Sequence, residues 1–425
     1  MNSEKLTMSF SIFGIFDTGE GGVYHDWDKL MKEYVDRGFN SIRLESGQGL
    51  LTDLNGKPIE ELEFFPAFGK FSKYARQIDS IPNGGTINFR KRLLELFRAA
   101  DKYNVKIVLS SWFVIHTYWF FDESVTKPIL ALSMEEKIAH FTKDLNIILD
   151  LLKENNLLHC VAFVELFNEM DGIPCPNPPI MSLAFASRKY AEKIRTLHEE
   201  AIDTLKSNHP EIKVAYDVSQ AYIRTDFIPR NIDVLNFHSY YLWSNYFRFE
   251  QDKVCDNLNE PELDESLTQY LNMGITNDEI LDEMKCAHIS SCYSFVPRIR
   301  IYSDIKEDKI ADVEALLEAG LKENYDEYLE KMKRNVDKIV EIRNEIVPEA
   351  ELVMGEGVTY CGSNTLLFEE KSELYWQLIN EQAIYMRDKG FLGTVVRTTS
   401  GPEDPSWNLC KDKYIKANAL FSGKE

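Results

Sequence analysis

Two glutamates stand where short apolar runs end. Val161-Ala162-Phe163-Val164-Glu165-Leu166-Phe167-Asn168-Glu169 closes one run with an amide and a carboxylate. Leu352-Val353-Met354-Gly355-Glu356-Gly357 closes another with a carboxylate between glycines, which let a ligand approach closely. Two carboxylates projecting from separate strands into one cavity are what glycosidic bond cleavage needs. One is kept protonated to donate to the leaving oxygen; the other attacks, or activates water, beneath the anomeric carbon. Burial raises the value of the proton donor, and the ionised partner raises it further. The structural alternative, strand-end carboxylates held by barrel salt bridges or helix N-termini, is weaker because buried glutamate is rare without a partner or a role. The dipeptide Asn-Glu says nothing alone, since it recurs at Asn259-Glu260, Asn344-Glu345 and Asn380-Glu381. Only the copy at 168–169 caps an apolar run.

Other residues suit the same chemistry. Asp233-Val234-Leu235-Asn236-Phe237-His238-Ser239-Tyr240 ends a further run, and residues two apart share a strand face, so His238 and Tyr240 are expected side by side. A phenol there can hold a carboxylate nucleophile ionised, and an imidazole can meet sugar hydroxyls or the acid/base; the alternative is a core histidine and a packing aromatic. Arg43, inside Phe39-Asn40-Ser41-Ile42-Arg43-Leu44-Glu45, needs a buried partner, either the nucleophile or Glu45. Of six tryptophans, Trp112, Trp119, Trp243 and Trp407 follow shortly after strands, where indoles could stack on the apolar faces of sugar rings or simply pack under loops.

These residues need a scaffold. Short apolar or β-branched runs at 10–16, 39–45, 105–112, 161–168, 213–219, 233–241, 351–356 and 391–399 alternate with helical patterns at 26–37, 90–103, 134–155, 182–208, 308–346, 368–389 and 408–421. Near-continuous apolarity marks buried parallel strands. Neither Gly19-Glu20-Gly21-Gly22 nor Gly47-Gln48-Gly49 forms a phosphate-binding fingerprint, so α/β architecture of the (β/α)8 TIM-barrel type is expected over a doubly wound sheet. The 425 residues then form a single catalytic barrel, with a large, mostly helical insertion at 242–350, between strands six and seven, as a lid or subdomain. That insertion carries 13 basic and 25 acidic residues, more than half of the chain's net charge of −21. Such acidity repels phosphate backbones and anionic lipid, which argues against nucleic acid and membrane partners. Seven scattered cysteines without a CxxC pair suggest neither a disulfide framework nor a zinc ribbon, and a reducing cytoplasm is the simplest location, secretion remaining open if a leader is removed. The oligomeric state cannot be read from the sequence.

Taken in order, Gly38-Phe39-Asn40-Ser41-Ile42-Arg43-Leu44, Leu166-Phe167-Asn168-Glu169, His238-Ser239-Tyr240 and Gly355-Glu356-Gly357 resemble the clan A glycoside hydrolases, particularly the cellulase-like family 5 enzymes. The resemblance spans about residues 10 to 410. It implies a retaining double displacement with Glu169 as acid/base and Glu356 as nucleophile, and an oligosaccharide or glycoside substrate. It further implies that Asn168 binds the substrate 2-hydroxyl, that Arg43 and Tyr240 hold Glu356, and that His238 lines the site. Trp112, His116, Trp243, Arg397 and Trp407 complete the expected substrate contacts, and no metal or other cofactor is implied. Departures are Leu109-Ser110-Ser111-Trp112, where many members place a histidine and His116 is the nearest substitute, and Val395-Val396-Arg397-Thr398-Thr399, where a tryptophan is common and Trp407 stands further on. Leu258-Asn259-Glu260-Pro261 imitates the cellulase Asn-Glu-Pro motif but follows no buried strand.

The expected function is therefore a retaining glycoside hydrolase acting on a β-linked glycan or glycoside. The alternative is a catalytically silent, cellulase-like carbohydrate-binding barrel. A metal-dependent sugar enzyme would need several ligands at strand ends, yet there is no His-x-His and only His238 stands at such a position. A scaffold protein would leave the strand-end glutamates unexplained.

Overall fold

The computed structural model describes residues 4–11, 16, 22–66, 68–74, 84–112, 121–172, 175–176, 179–180, 186–219, 224–242, 268–283, 296–358, 363–398 and 400–424. Eight of the described strands form a closed barrel: β1 Leu6–Phe10, β2 Ser41–Glu45, β3 Lys106–Ser110, β4 Val161–Glu165, β5 Val214–Val218, β6 Val234–Ser239, β7 Glu351–Gly357 and β8 Gly393–Val395. Their order around the barrel is β1-β8-β7-β6-β5-β4-β3-β2, and every neighbouring pair is parallel. This is a (β/α)8 barrel, as the alternation of runs and helical patterns predicts.

The strands are apolar on one face because helices cover it, and the alternate side chains fill the interior. On β2, Ile42 and Leu44 alternate with Ser41, Arg43 and Glu45, and all five are buried. The covering helices are α1 Trp27–Asp36, α2 Phe89–Tyr103, α3 Met134–Glu154, α4 Arg188–Asn208, α5 Tyr325–Ile346, α6 Glu373–Asp388 and α7 Lys411–Ser422. On α3, Ile138, Phe141, Leu145, Ile148, Leu149 and Leu152 recur every three or four residues and are buried, each contributing about 1.5–3 kcal/mol. Side-chain caps set the helix starts. Ser133 and Glu136 form a reciprocal capping box on α3, and Ser187 accepts the Tyr190 N–H, so α4 begins at Arg188 rather than at 182.

The first strand lies earlier than its apolarity suggests. Leu6 pairs with Gly393 and Met8 with Ser41, so the barrel uses 6–10 rather than 10–16. Phe16 instead joins an aromatic cluster with Phe64, Phe89 and Phe121, at ring-centroid distances of 5.5 to 5.7 Å. One apolar run thus serves two packing layers.

Between β6 and β7 the described residues are helical at Asn277–Asp282, Val296–Asp304 and Ile310–Glu323, followed by α5. That last helix buries Tyr328, Met332, Val336, Ile339 and Ile342. It therefore takes the place of the barrel helix preceding β7. The helices between β6 and β7 lean on segments that follow β2 and β7: Lys70 pairs with Glu283 at 3.0 Å, and Leu367 N–H donates to Glu314 at 2.7 Å. Among the described residues no helix is long and apolar enough to cross a membrane.

Candidate active site

The chain leaves β4 through a turn clamped on both sides. Gln48 Nε2, in the loop after β2, donates to the carbonyls of Glu165 and Leu166, both at 2.6 Å, and the Asn168 N–H donates to the Ser111 carbonyl at 2.8 Å. The glycine-flanked Gln48 loop is thus a brace for β4. Glu169 follows with φ +46°, a left-handed backbone that costs a non-glycine residue about 1–3 kcal/mol and recurs at functional sites.

Glu356 is positioned by a bulge. Phe237 pairs with Met354 but His238 pairs with Glu356, so Gly355 is the extra residue on β7. A Cβ at position 355 would lie 2.4 Å from Asn236 Nδ2, which is why glycine stands there.

These devices bring the two glutamates together. His238 Nδ1 lies 2.7 Å from Glu169 Oε1 and 3.6 Å from Glu356 Oε2. A carboxylate oxygen of each glutamate and a His238 nitrogen all fall within 4.8 Å of one another. Three donors converge on Glu356: Arg43 Nη1 at 2.8 Å, Trp112 Nε1 at 3.0 Å and the Tyr240 hydroxyl. Among the described residues Glu169 accepts from His238 alone, and its side chain keeps 19% exposure where that of Glu356 keeps 7%. The glutamate with fewer donors is the one open to solvent.

Arg43 is the hub beneath them. Its guanidinium pairs with Glu165 at 2.8 Å, with Asp217 at 2.5 Å and with Glu356, and it donates to Asn168 Oδ1 at 2.9 Å. Asp217 also meets His238 Nε2 at 3.1 Å, and Asn236 Nδ2 donates to Glu165 Oε1 at 2.6 Å. Four carboxyl groups thus share two cationic side chains, so the cluster favours keeping one carboxyl protonated. Burial pushes Glu169 up to about 7 against the opposing pull of its hydrogen bond from His238, and the charge of Glu356 adds to the rise. Burial opposes the charge on His238, but Asp217 and Glu356 outweigh it and hold the imidazole well above its ordinary value. Tyr240 is raised well above the usual phenol range, first by burial and then by the glutamate charges, and so remains a hydrogen-bond donor.

Of the residues expected at the site, Arg43, Trp112, Asn168, Glu169, His238, Tyr240 and Glu356 form this one group. His116 and Trp243, like Trp119, lie outside the described residues. Arg397 sits elsewhere: it is fully buried, pairs with Glu369, and bonds Asp404 at 2.9 Å and Ser406 at 2.5 Å. Its charge is shared among the buried carboxyls of Glu369, Glu370 and Asp404. Trp407 is also buried, donating to Glu33 at 2.8 Å and packing against Arg37 and Phe39, so it is a core residue between barrel and helices. Trp112 contributes its N–H rather than an open ring, since its ring is buried against Arg43 at 4.5 Å and Phe10 at 5.5 Å. Glu45 does not pair with Arg43. It accepts the Trp112 N–H at 2.8 Å and the Gly47 N–H at 2.9 Å, fixing the end of β3.

Sequence reasoning missed Glu165 and Asp217. The available signal was a carboxylate inside each of two apolar runs, on strands four and five, with a buried arginine that one partner could not satisfy. Glu169, His238 and Glu356 are also close enough to hold a cation. Such a cation would have to displace the Nδ1 proton through which His238 meets Glu169, and it would compete with the three donors on Glu356. That donor set suits proton transfer better than coordination.

A profile for the sugar-binding cellulase-like proteins matches residues 14–264. The chain belongs to this cellulase-like family. No curated protein matches it. Among solved structures, this cellulase-like chain is similar to a Parabacteroides distasonis protein presumed to be a glycoside hydrolase, with 14% identity, TM-score 0.64, and coverage of 99% of this chain and 94% of the other. It is similar to the cellulose synthase subunit Z of Clostridioides difficile at 13% identity and TM-score 0.51, covering 97% of this chain and 99% of the other. A Rhizomucor miehei family 5 mannosidase follows at 11% identity and TM-score 0.47, with 99% and 95% covered. At these identities the likeness concerns the fold, a glycoside-hydrolase-like barrel.

Proposed function

We propose that this protein is a retaining glycosidase that cleaves a β-linked glycan or glycoside, with Glu169 as acid/base and Glu356 as nucleophile. The observation that carries this reading is the pairing of unlike carboxyls. Their oxygens approach within 4.8 Å, yet Glu356 is surrounded by donors while burial pushes Glu169 up to about 7. Retaining enzymes place their two carboxyl groups about 5–5.5 Å apart, and inverting ones about 6.5–9.5 Å.

In this reading protonated Glu169 gives its proton to the glycosidic oxygen as Glu356 attacks the anomeric carbon. The C–O bond to the leaving group breaks and an ester to Glu356 forms. Glu169, now ionised, takes a proton from water; the resulting hydroxide attacks the anomeric carbon and releases Glu356. Arg43, Trp112 and Tyr240 hold the nucleophile in line, and Tyr240 must yield its hydrogen bond as the ester forms. Asn168 spends its carbonyl oxygen on Arg43, leaving its amide nitrogen buried without a partner among the described residues. That nitrogen suits a sugar hydroxyl.

The test is turnover of aryl β-glycosides and polysaccharides by the wild type and by Glu169→Gln and Glu356→Gln. Each substitution is expected to remove at least about 10³-fold of kcat/KM while leaving the fold intact. A mechanism-based 2-fluoro sugar should attach to Glu356. Full activity in either variant, or labelling at Glu260, overturns the assignment. Oligosaccharide binding without any release of reducing ends would instead establish the silent carbohydrate-binding barrel.

A further inference from the structure

At the opposite end of the barrel, where strands begin, lies a second convergent group. Asp101 is in the last turn of α2, and His159 and Cys160 immediately precede β4. His159 Nε2 lies 2.7 Å from Asp101 Oδ1 and 3.5 Å from Cys160 Sγ, and that sulfur lies 4.0 Å from the same Asp101 oxygen. The carboxylate and the sulfur meet the same ring nitrogen. A nucleophilic relay needs the base and its orienting acid on different imidazole nitrogens, so this arrangement is not a relay. Three unlike donor atoms instead face one point.

We propose that Asp101, His159 and Cys160 form a binding site for a borderline-soft divalent cation of the zinc type, distinct from the glutamate pair. Thiolate, imidazole and carboxylate together select such ions over magnesium or calcium. Zn–S near 2.3 Å with Zn–N and Zn–O near 2.0–2.2 Å puts tetrahedral ligand atoms about 3.3–3.6 Å apart. The sulfur–nitrogen distance already lies in that span, the sulfur–carboxylate distance must close by about 0.4 Å, and the His159–Asp101 contact must open by about 0.6–0.8 Å to admit the ion. Both of those side chains can move, with 59% and 51% exposure, whereas Cys160 is fixed in the buried layer. The His159 backbone is held as well, since Lys106 Nζ donates to its carbonyl at 2.8 Å. On binding, the Cys160 thiol releases its proton to solvent as the metal–sulfur bond forms, and water fills the fourth position. The ion would tie the end of α2 to the start of β4, away from the chemistry, so its effect would be on stability rather than turnover.

The experiment uses the whole reduced chain, titrated with Co²⁺ and followed by thiolate-to-metal charge-transfer absorption, and with Zn²⁺ by calorimetry. One site per chain is expected, with a rise in Tm on Zn²⁺ addition. Cys160→Ser should abolish the charge-transfer band. Asp101→Asn, on the surface and unable to disturb the core, should weaken Zn²⁺ at least about tenfold with glycoside turnover unchanged. Glu169→Gln, as a control, should leave cation binding intact. The proposal fails if Asp101→Asn and Cys160→Ser bind Co²⁺ with the wild-type stoichiometry and spectrum, or if the wild type binds none; either result leaves the glycosidase reading untouched.

Discussion

Asp217→Asn tests the proton balance of the site most directly. In the wild type, kcat/KM should fall as pH rises through about 7, the value to which burial raises Glu169, because in the proposed role its protonated form is the one that donates. Asp217 lies 3.1 Å from His238 Nε2, and its charge is the first of the influences that overcome burial and keep the imidazole protonated. Without that charge, burial is opposed only by Glu356 and the hydrogen bond to Glu169, and His238 is expected to lose its proton. Glu169 then loses a positive neighbour at 2.7 Å, an attraction of about 6 kcal/mol at an effective dielectric constant near 20. The side chain of Glu169 is 19% exposed and the lost charge is shared with Glu356, so only about a quarter to a half of that reaches its titration. The sign is fixed: less stabilisation of the ionised form raises the value further, and the alkaline limb moves up by about 1–2 pH units. The assay is kcat/KM against an aryl glycoside from pH 4 to 10, for wild type, Asp217→Asn, His238→Gln and the double variant. Since Asp217 acts through His238, it should add no further displacement in the His238→Gln background. An alkaline limb that stays in place, or shifts towards acid, in folded Asp217→Asn would falsify this account of the site.

Three further outcomes follow from the same contacts. Trp112→Phe keeps the ring packing on Arg43 but deletes the N–H that lies 3.0 Å from Glu356, so kcat should fall about 10–100-fold with little change in KM; a change confined to KM would return the indole to a sugar-stacking role. Arg397→Met removes the cation from a buried group of acids and should cost about 3–5 kcal/mol in denaturant unfolding, while the folded fraction keeps normal turnover. Loss of specific activity in folded Arg397→Met would restore it to the substrate-binding set. Gly355→Ala forces a Cβ to within 2.4 Å of Asn236 Nδ2, so the bulge must shift; kcat should drop more steeply than stability, as measured by rates and Tm together.

Much of this architecture was readable because a (β/α)8 barrel writes its strands as buried apolar runs. The exception, β1, shows the limit. Phe10-Ser11-Ile12-Phe13-Gly14-Ile15-Phe16 is the more apolar window, but pairing with Gly393 and Ser41 selected Leu6–Phe10, and hydrophobicity alone does not encode register. At the site, Glu169, Glu356, His238 and Tyr240 were legible because chemistry at strand ends follows a positional rule. Arg397 obeyed the same rule and still landed in the structural network, because Glu369 and Asp404, distant in sequence, claimed it. Trp407 was likewise claimed by Glu33, Arg37 and Phe39. Such competition is decided by tertiary partners, which a single sequence does not reveal. Asp217 was the converse case: its strand looked merely apolar, and its role rests on Arg43 needing acids from several strands at once.

That convergence on Arg43 bears on how the chain reaches its native state. The guanidinium comes from β2 and its acids from β4, β5 and β7, so a half-assembled sheet that buried Arg43 would strand an uncompensated ion in a low-dielectric interior. Partly closed intermediates are penalised until the later strands dock. The same arginine that steadies the proposed nucleophile thereby sets a penalty against partly closed forms of the barrel.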